Sequence, residues 1–191
     1  MNALQKILER AKSENIFVDI FRDSIEEAPL FCLIKGYSHE LVQLLKIDNG
    51  GEYDGFALLF VDDITRIRWG GIERSSLEKL AQLKNETLVH EAEIDLASFP
   101  AALVSVQDRF GYVCLYAEER ARNTAFIGQM EELLEETLVM REFGTISNLD
   151  RSFLALRTRD LTRLDFDSKY ERDLLRLHSI RQKDLGNIFR E

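Results

Sequence analysis

The residues of this chain that could ligate a metal, attack an electrophile or move a proton are three histidines, two cysteines and a few adjacent carboxylates. His39, His90 and His178 fall in an expected turn, a linker and a helix, with no carboxylate or second histidine at a ligand spacing. They read as solvent-facing or structural, and no metal is assigned. Cys32 and Cys114 sit in apolar runs, Phe-Cys-Leu and Val-Cys-Leu, and read as small buried hydrophobes. Nucleophilic chemistry would need a base that the sequence does not supply. The pairs Asp62-Asp63, Glu118-Glu119 and Glu135-Glu136 do not converge on a cation, because successive strand residues point to opposite faces. Asn49-Gly50-Gly51 and Gly70-Gly71 lack the helix spacing and lysine of a phosphate cradle and read as turns. No catalytic residue and no cofactor is assigned, so the chain reads as a non-enzyme.

One polar motif occurs twice. DDITRI (62–67) and RDLTRL (159–164) place Asp63, Thr65 and Arg66 at an offset of 97 from Asp160, Thr162 and Arg163. Asp63 and Asp160 are expected to accept hydrogen bonds from backbone N–H groups two residues on, fixing a tight turn between strands. Arg66 and Arg163 are expected to make salt bridges. Their functional reading is that they flank a shared groove for an anionic ligand or a peptide carboxylate. Tyr37, Tyr53, Trp69 and Tyr116 are available as stacking partners, with His39 in the same expected loop as Tyr37.

The offset of 97 extends beyond the motif, from Phe56 to Phe153, Leu59 to Leu156, Trp69 to Phe166 and Leu77 to Leu174. Upstream the offset is 95, from Val18 to Val113, Phe21 to Tyr116, Leu44 to Val139 and Lys46 to Arg141. A two-residue insertion before Phe153 reconciles the two. The chain therefore reads as an internal duplication: a first repeat over 1–86, a linker over 87–94, a second repeat over 95–182 and a tail over 183–191.

Each repeat needs the same elements. Leu4, Ile7, Leu8 and Ala11 mark an amphipathic helix over 2–13. Strands are expected at 16–21, 30–34, 41–47, 56–61 and 64–69, with a hairpin at DNGGEYDG. A trailing helix starts at Ser75 and Glu78, spaced as a capping box. The second repeat places a helix over 95–107, strands near 111–117, 124–130, 136–143, 152–158 and 161–166, and a helix over 169–182. EELLEE (131–136) is open to a helical reading. Short hairpins do not stand alone, and a closed, bent sheet buries one face and removes the edges. The fold class is mainly β with flanking helices: two tandem Sm-like or SH3-like small β-barrels, related by a pseudo-twofold.

A leading helix followed by five short, bent strands resembles the Sm-like fold of Lsm and Hfq proteins, over residues 1–69 and 95–166. DGFALLFVDDITRIRWG also looks like the closing segment of small barrels in bacterial proteins. In the Sm family RNA is held by an Asp-x-Met-Asn-like segment and by a Gly-containing basic motif. Here KGYSHE keeps Gly36, Tyr37 and His39 without the Asn, and the second position lacks its Gly. The resemblance implies the fold; the RNA function does not transfer with it. Sm subunits join by pairing strand four with a neighbour's strand five, and a duplicated chain could satisfy one such junction internally.

The remaining constraints come from composition. The chain has 191 residues, 34 acidic and 25 basic, for a net charge of -9, which disfavours an extended nucleic-acid surface. No apolar stretch is long enough for a membrane span, and two cysteines suit a reducing compartment. The expectation is a cytoplasmic, bacterial binding or assembly module with a protein or peptide partner, or self-association. The alternative is single-stranded RNA on a restricted patch. The weak binding candidates are Tyr37, His39, Tyr53, Asp63, Arg66, Trp69, Asp160 and Arg163.

Overall fold

The computed structural model describes residues 3–84, 90–122, 124–143 and 152–188. The chain opens with α1 (Ala3–Ser13), β1 (Val18–Phe21), β2 (Leu30–Tyr37), β3 (Leu41–Ile47) and β4 (Tyr53–Phe60). A 3-10 turn (Val61–Asp63), β5 (Arg66–Trp69) and α2 (Ile72–Lys84) complete the first series. The same order then recurs: α3 (Phe99–Phe110), β6 (Val113–Tyr116), β7 (Ala125–Leu133), β8 (Thr137–Glu142), β9 (Phe153–Arg157), a 3-10 turn (Thr158–Asp160), β10 (Arg163–Phe166) and α4 (Lys169–Ile188). The insertion expected before Phe153 falls outside the described residues, as do part of the 87–94 linker and the tail side chains.

Several local expectations change. β2 continues through Lys35-Gly36-Tyr37, with a bulge between Ile34 and Gly36. Glu131 to Leu133 extend β7, so that stretch is not helical. Ser75 lies inside α2, where its hydroxyl donates back to the Gly71 carbonyl at 2.9 Å, so it does not start the helix. A capping box occurs instead at α4: the Ser168 N–H donates to Glu171 Oε2 at 2.9 Å, and the Glu171 N–H to Ser168 Oγ at 3.3 Å. In α3, Ser98 caps the first turn and Pro100 sits inside it, where a missing N–H costs nothing.

The strands form one open antiparallel sheet in the order β5-β1-β2-β3-β4-β10-β6-β7-β8-β9. Two closed barrels are not what is seen. β4 does not turn back on β5; its outer edge is taken by β10, from Phe56 opposite Phe166 to Leu59 opposite Arg163. Among the described residues β5 pairs only with β1, and β9 only with β8, so these two are the edges of the sheet they form. The pseudo-twofold is also corrected. The central junction joins a fourth strand to a fifth strand, a head-to-tail relation, whereas a twofold would join like to like.

Strand alternation distributes side chains between separate cores. Val42 and Leu44 of β3, with Ala57 and Leu59 of β4, pack with Leu8 and Ala11 of α1. Leu41, Leu45, Phe56 and Leu58, from the same two strands, face a larger central core that also holds Phe99, Leu103 and Val106 of α3. Every residue of β3 is buried. A strand covered on both faces carries an almost unbroken apolar run, as LVQLLKI does.

Candidate functional site

The doubled motif lies at one place in each series, just after a 3-10 turn. There Ile64 N–H donates to the Val61 carbonyl and Leu161 N–H to the Thr158 carbonyl, both at 3.2 Å. The expected Asp-to-backbone bonds are absent. The N–H groups two residues on, of Thr65 and Thr162, donate to the carbonyls of Phe21 and Tyr116, each at 2.9 Å. The aspartates do other work. Burial pushes the carboxyl of half-buried Asp63 up, and Asp160 is paired with Arg157 at 2.8 Å.

The threonines hold the motif. Thr65 Oγ1 donates to Asp23 Oδ2 at 2.6 Å and receives the Asp23 N–H at 3.1 Å. Thr162 Oγ1 donates to Glu118 Oε2 at 2.8 Å and receives the Glu118 N–H at 3.1 Å. Asp23 and Glu118 are themselves related by the offset of 95. Each arginine lies on the ring that ends the first strand of its series: Arg66 stands 4.0 Å above Phe21, and Arg163 stands 4.6 Å above Tyr116. One acid–Thr–Arg–ring arrangement therefore occurs twice.

Its surroundings differ. Arg66 and Asp23 are about half exposed at the free β5 edge, where the Arg66 hydrogen bond, and next that of Thr65, hold the Asp23 carboxyl down at about 2. Arg163 is buried inside the sheet and binds Asp165 through Nε and Nη2, both at 2.6 Å. Lys46 Nζ reaches the same carboxylate at 2.6 Å from the other series. Burial alone would raise the Asp165 carboxyl, but Arg163 and Lys46 outweigh it and hold it at about 2. Arg22, also buried, binds Glu118 through two nitrogens at 2.7 and 2.8 Å and Glu26 at 2.8 Å. The two motifs are thus linked along one polar belt, Arg66–Asp23, Arg22–Glu118 and Arg163.

That belt does not make an anion groove. The cavity beside Arg163, about 430 Å³, is lined by Glu26, Glu27 and Glu118 as well as Arg122. Arg66 is not in its lining, and the guanidinium of Arg163 is already engaged by Asp165.

The other expected residues are dispersed. Tyr37, at the end of β2, donates its hydroxyl to Glu9, and His39 is exposed in the following turn. Tyr53 is buried, lies flat on His90 with ring centres 3.8 Å apart and donates to Asp167 at 2.9 Å. Cys32 and Cys114 are buried, and burial pushes both thiols up, away from thiolate chemistry. No metal-sized cluster of ligands occurs among the described residues. Among them, too, no helix is long and apolar enough to cross a membrane.

Trp69 is the expected residue with an open surface beside it. It ends β5 at 45% exposure and walls an apolar cavity of about 210 Å³ with Ile7, Ala11, Ile16 and Val18. At the far edge, Phe153 of β9 is 65% exposed. Arg22 and Asp23 were missed by sequence reasoning, and Glu118, weighed only with Glu119 as a cation site, is instead buried against Arg22. Asp23 and Glu118 were available from the offset of 95, whereas Arg22 falls on Ala117 and leaves no repeat signal. No protein family, curated protein or solved structure matches the chain.

Proposed function

We propose that this chain is a non-enzymatic binding or assembly module, a tandem duplication of an Sm-like unit, that takes an extended strand of a protein partner at its free β5 edge. One observation carries the reading. β10 and β5 hold the same acid–Thr–Arg arrangement, yet among the described residues β10 has a strand, β4, on its outer side and β5 has none. An open strand edge offers unpaired N–H and C=O groups to an incoming peptide, and adjacent pockets choose its side chains. The apolar cavity at Trp69 supplies such a pocket. The net charge of -9 and the pairing of Arg66 with Asp23 weigh against an extended phosphate-binding surface, although Arg68 of the same strand is exposed.

The test is selection of a displayed random dodecapeptide library on the immobilised full chain, followed by amide exchange on the complex. Enriched peptides are expected to alternate apolar and polar residues, to protect the amides of Arg66 to Trp69 and to lose binding on Trp69→Glu. Failure to enrich any peptide, or protection confined to other strands, would overturn the reading. So would tight binding of a uridine dodecamer that weakens steeply with salt, which would favour the RNA alternative.

A further inference from the structure

We propose that the cavity between α2 and the β1–β2 pair is a binding site for a small organic carboxylate, an acid group on an apolar body, which Arg74 receives. The cavity measures about 510 Å³, within the range of small-molecule sites, and its walls include Asp19, Pro29, Phe31, Arg74, Leu77 and Leu80. This site does not depend on the strand-accepting edge at β5.

Strand pairing positions the parts. Asp19 of β1 stands opposite Phe31 of β2, so their side chains share one face of the sheet. α2 lays Arg74 over that face: its guanidinium is paired with the Asp19 carboxylate and stands 5.2 Å above the Phe31 ring. Carboxylate and ring fix the guanidinium before a ligand arrives, which lowers the entropy that a bidentate contact has to lose. The Asp19 side chain has no solvent exposure and that of Arg74 has 19%, so a molecule entering the cavity meets the cation rather than the anion. A guanidinium carries five N–H donors, more than one carboxylate takes up. Arg22 demonstrates this in the same chain, holding Glu118 and Glu26 at once. Pro29, Phe31, Leu77 and Leu80 supply the apolar walls for the rest of the ligand.

The duplication supplies a comparison within the chain. By the offsets of 95 and 97, Asp19 and Arg74 fall on Cys114 and Glu171, and Leu77 falls on Leu174. Cys114 and Glu171 are not an ion pair, yet α4 is seated. Glu171 accepts from the Tyr112 hydroxyl and from the Ser168 N–H, each at 2.9 Å. Leu174 is 4% exposed, in one cluster with Tyr112 and Cys114, whereas Leu77 is only partly buried. The fold therefore does not need a buried carboxylate–arginine pair to dock its trailing helix, and such a pair is a costly way to gain stability. What Arg74 adds in the first series is a fixed cation in the wall of a cavity. An ammonium ligand has the wrong sign, since Arg74 repels it and covers Asp19 from it. A polyanion would crowd Asp19 with further negative charge, whereas a single carboxylate repeats the two-acid arrangement around Arg22.

Titration of the isotope-labelled full chain with octanoate, read by amide chemical shifts, tests this. Octanoate is expected to bind with a Kd of about 0.1–1 mM and to move the amides of Phe31, Arg74 and Leu77 together. Octanamide has the same apolar body without the charge and is expected to bind about tenfold more weakly. Arg74→Gln should abolish that preference for the acid. Ser76→Trp fills the cavity from an exposed position on α2 and should remove binding of both compounds. It leaves the Asp19–Arg74 pair intact, so the test holds even where Arg74→Gln, with Asp19 left buried, does not fold. The tripeptide acetyl-Ala-Ala-Leu with a free C-terminus separates a chain end from a free acid: the tighter binder of the two names the source of the carboxylate. No cavity shifts with either acid would overturn the inference, as would equal binding of octanoate and octanamide or undiminished octanoate binding by Ser76→Trp.

Discussion

Arg22 grips Glu118 with both arms of its guanidinium, 96 residues away in the chain and with almost no solvent exposure. The pair ties the segment after β1 to the segment after β6. It therefore holds the two series at a fixed angle across the β4·β10 junction. Removing one partner of a buried pair strands the other charge, which costs about 3–5 kcal/mol, while a volume-matched apolar pair often restores much of it. Arg22→Met and Glu118→Gln are each expected to lower the urea midpoint strongly. The double variant should fall well short of the sum of the two, and strictly additive losses would show that the pair is not coupled.

Asp165 sets an acid limit on the junction. Its carboxyl titrates at about 2 when folded, against 3.8 as the ordinary value. Above about 4 it is ionised in both states, and its bonds to Arg163 and Lys46 contribute in full. As pH falls from about 4 to about 2 the unfolded chain takes up the proton first, so stability is lost over that window. Urea unfolding from pH 7 to pH 2 should show a steepening loss below about 4. Asp165→Asn should flatten it and lower stability at pH 7, because Lys46 and Arg163 are then buried without a counter-charge.

Much of this architecture was legible in the sequence, and the reasons for the rest are physical. Apolar patterning and turn signals placed an element near each helix and strand of the described residues, although α2 starts at Ile72 and not at Ser75, and α3 runs Phe99–Phe110 and not over 95–107. DDITRI and RDLTRL marked equivalent positions, and both prove to hold one hydrogen-bond arrangement. Closure was misread, since five short strands satisfy their edges equally well by curling shut or by pairing with another set. Only the partner of β4's outer edge decides between these, and that is a contact across a hundred residues. Lys46 and Asp165 sit in strands where a charge usually means a solvated face, and nothing local indicated that the two would meet. LVQLLKI held a clue in its unbroken apolar character, which a half-exposed barrel strand would not need.

The two threonines provide a matched comparison. Thr65 and Thr162 make the same three kinds of hydrogen bond, but Thr65 is exposed and Thr162 is 8% exposed. Water can replace lost bonds at the β5 edge and cannot easily enter the junction. Thr65→Val is therefore expected to cost about 0.5 kcal/mol and Thr162→Val about 1–3 kcal/mol. Equal costs in chemical denaturation would mean that the junction admits water.

Gly55 separates two effects that glycines usually confound. Its φ of 78° lies in the left-handed region, and a Cβ added there would sit 2.5 Å from the Ser168 nitrogen and 2.7 Å from the Phe166 carbonyl oxygen. Both are backbone atoms of the link between β10 and α4, so no side chain can swing aside to make room. Gly70 has nearly the same φ, 74°, but a Cβ there would meet no atom within 4 Å. Gly70→Ala thus reports the conformational cost alone, about 1–2 kcal/mol. Gly55→Ala adds the displacement of a backbone segment whose neighbours Ser168 and Glu171 form the α4 capping box. It is expected to cost about 1–3 kcal/mol more than Gly70→Ala. It should also expose the Asp167 N–H, which otherwise donates to the Tyr112 hydroxyl at 2.8 Å, to faster amide exchange. Equal stability losses, with exchange at Asp167 unchanged, would mean that β4 and the β10–α4 link separate without cost and that the central junction is looser than its register implies.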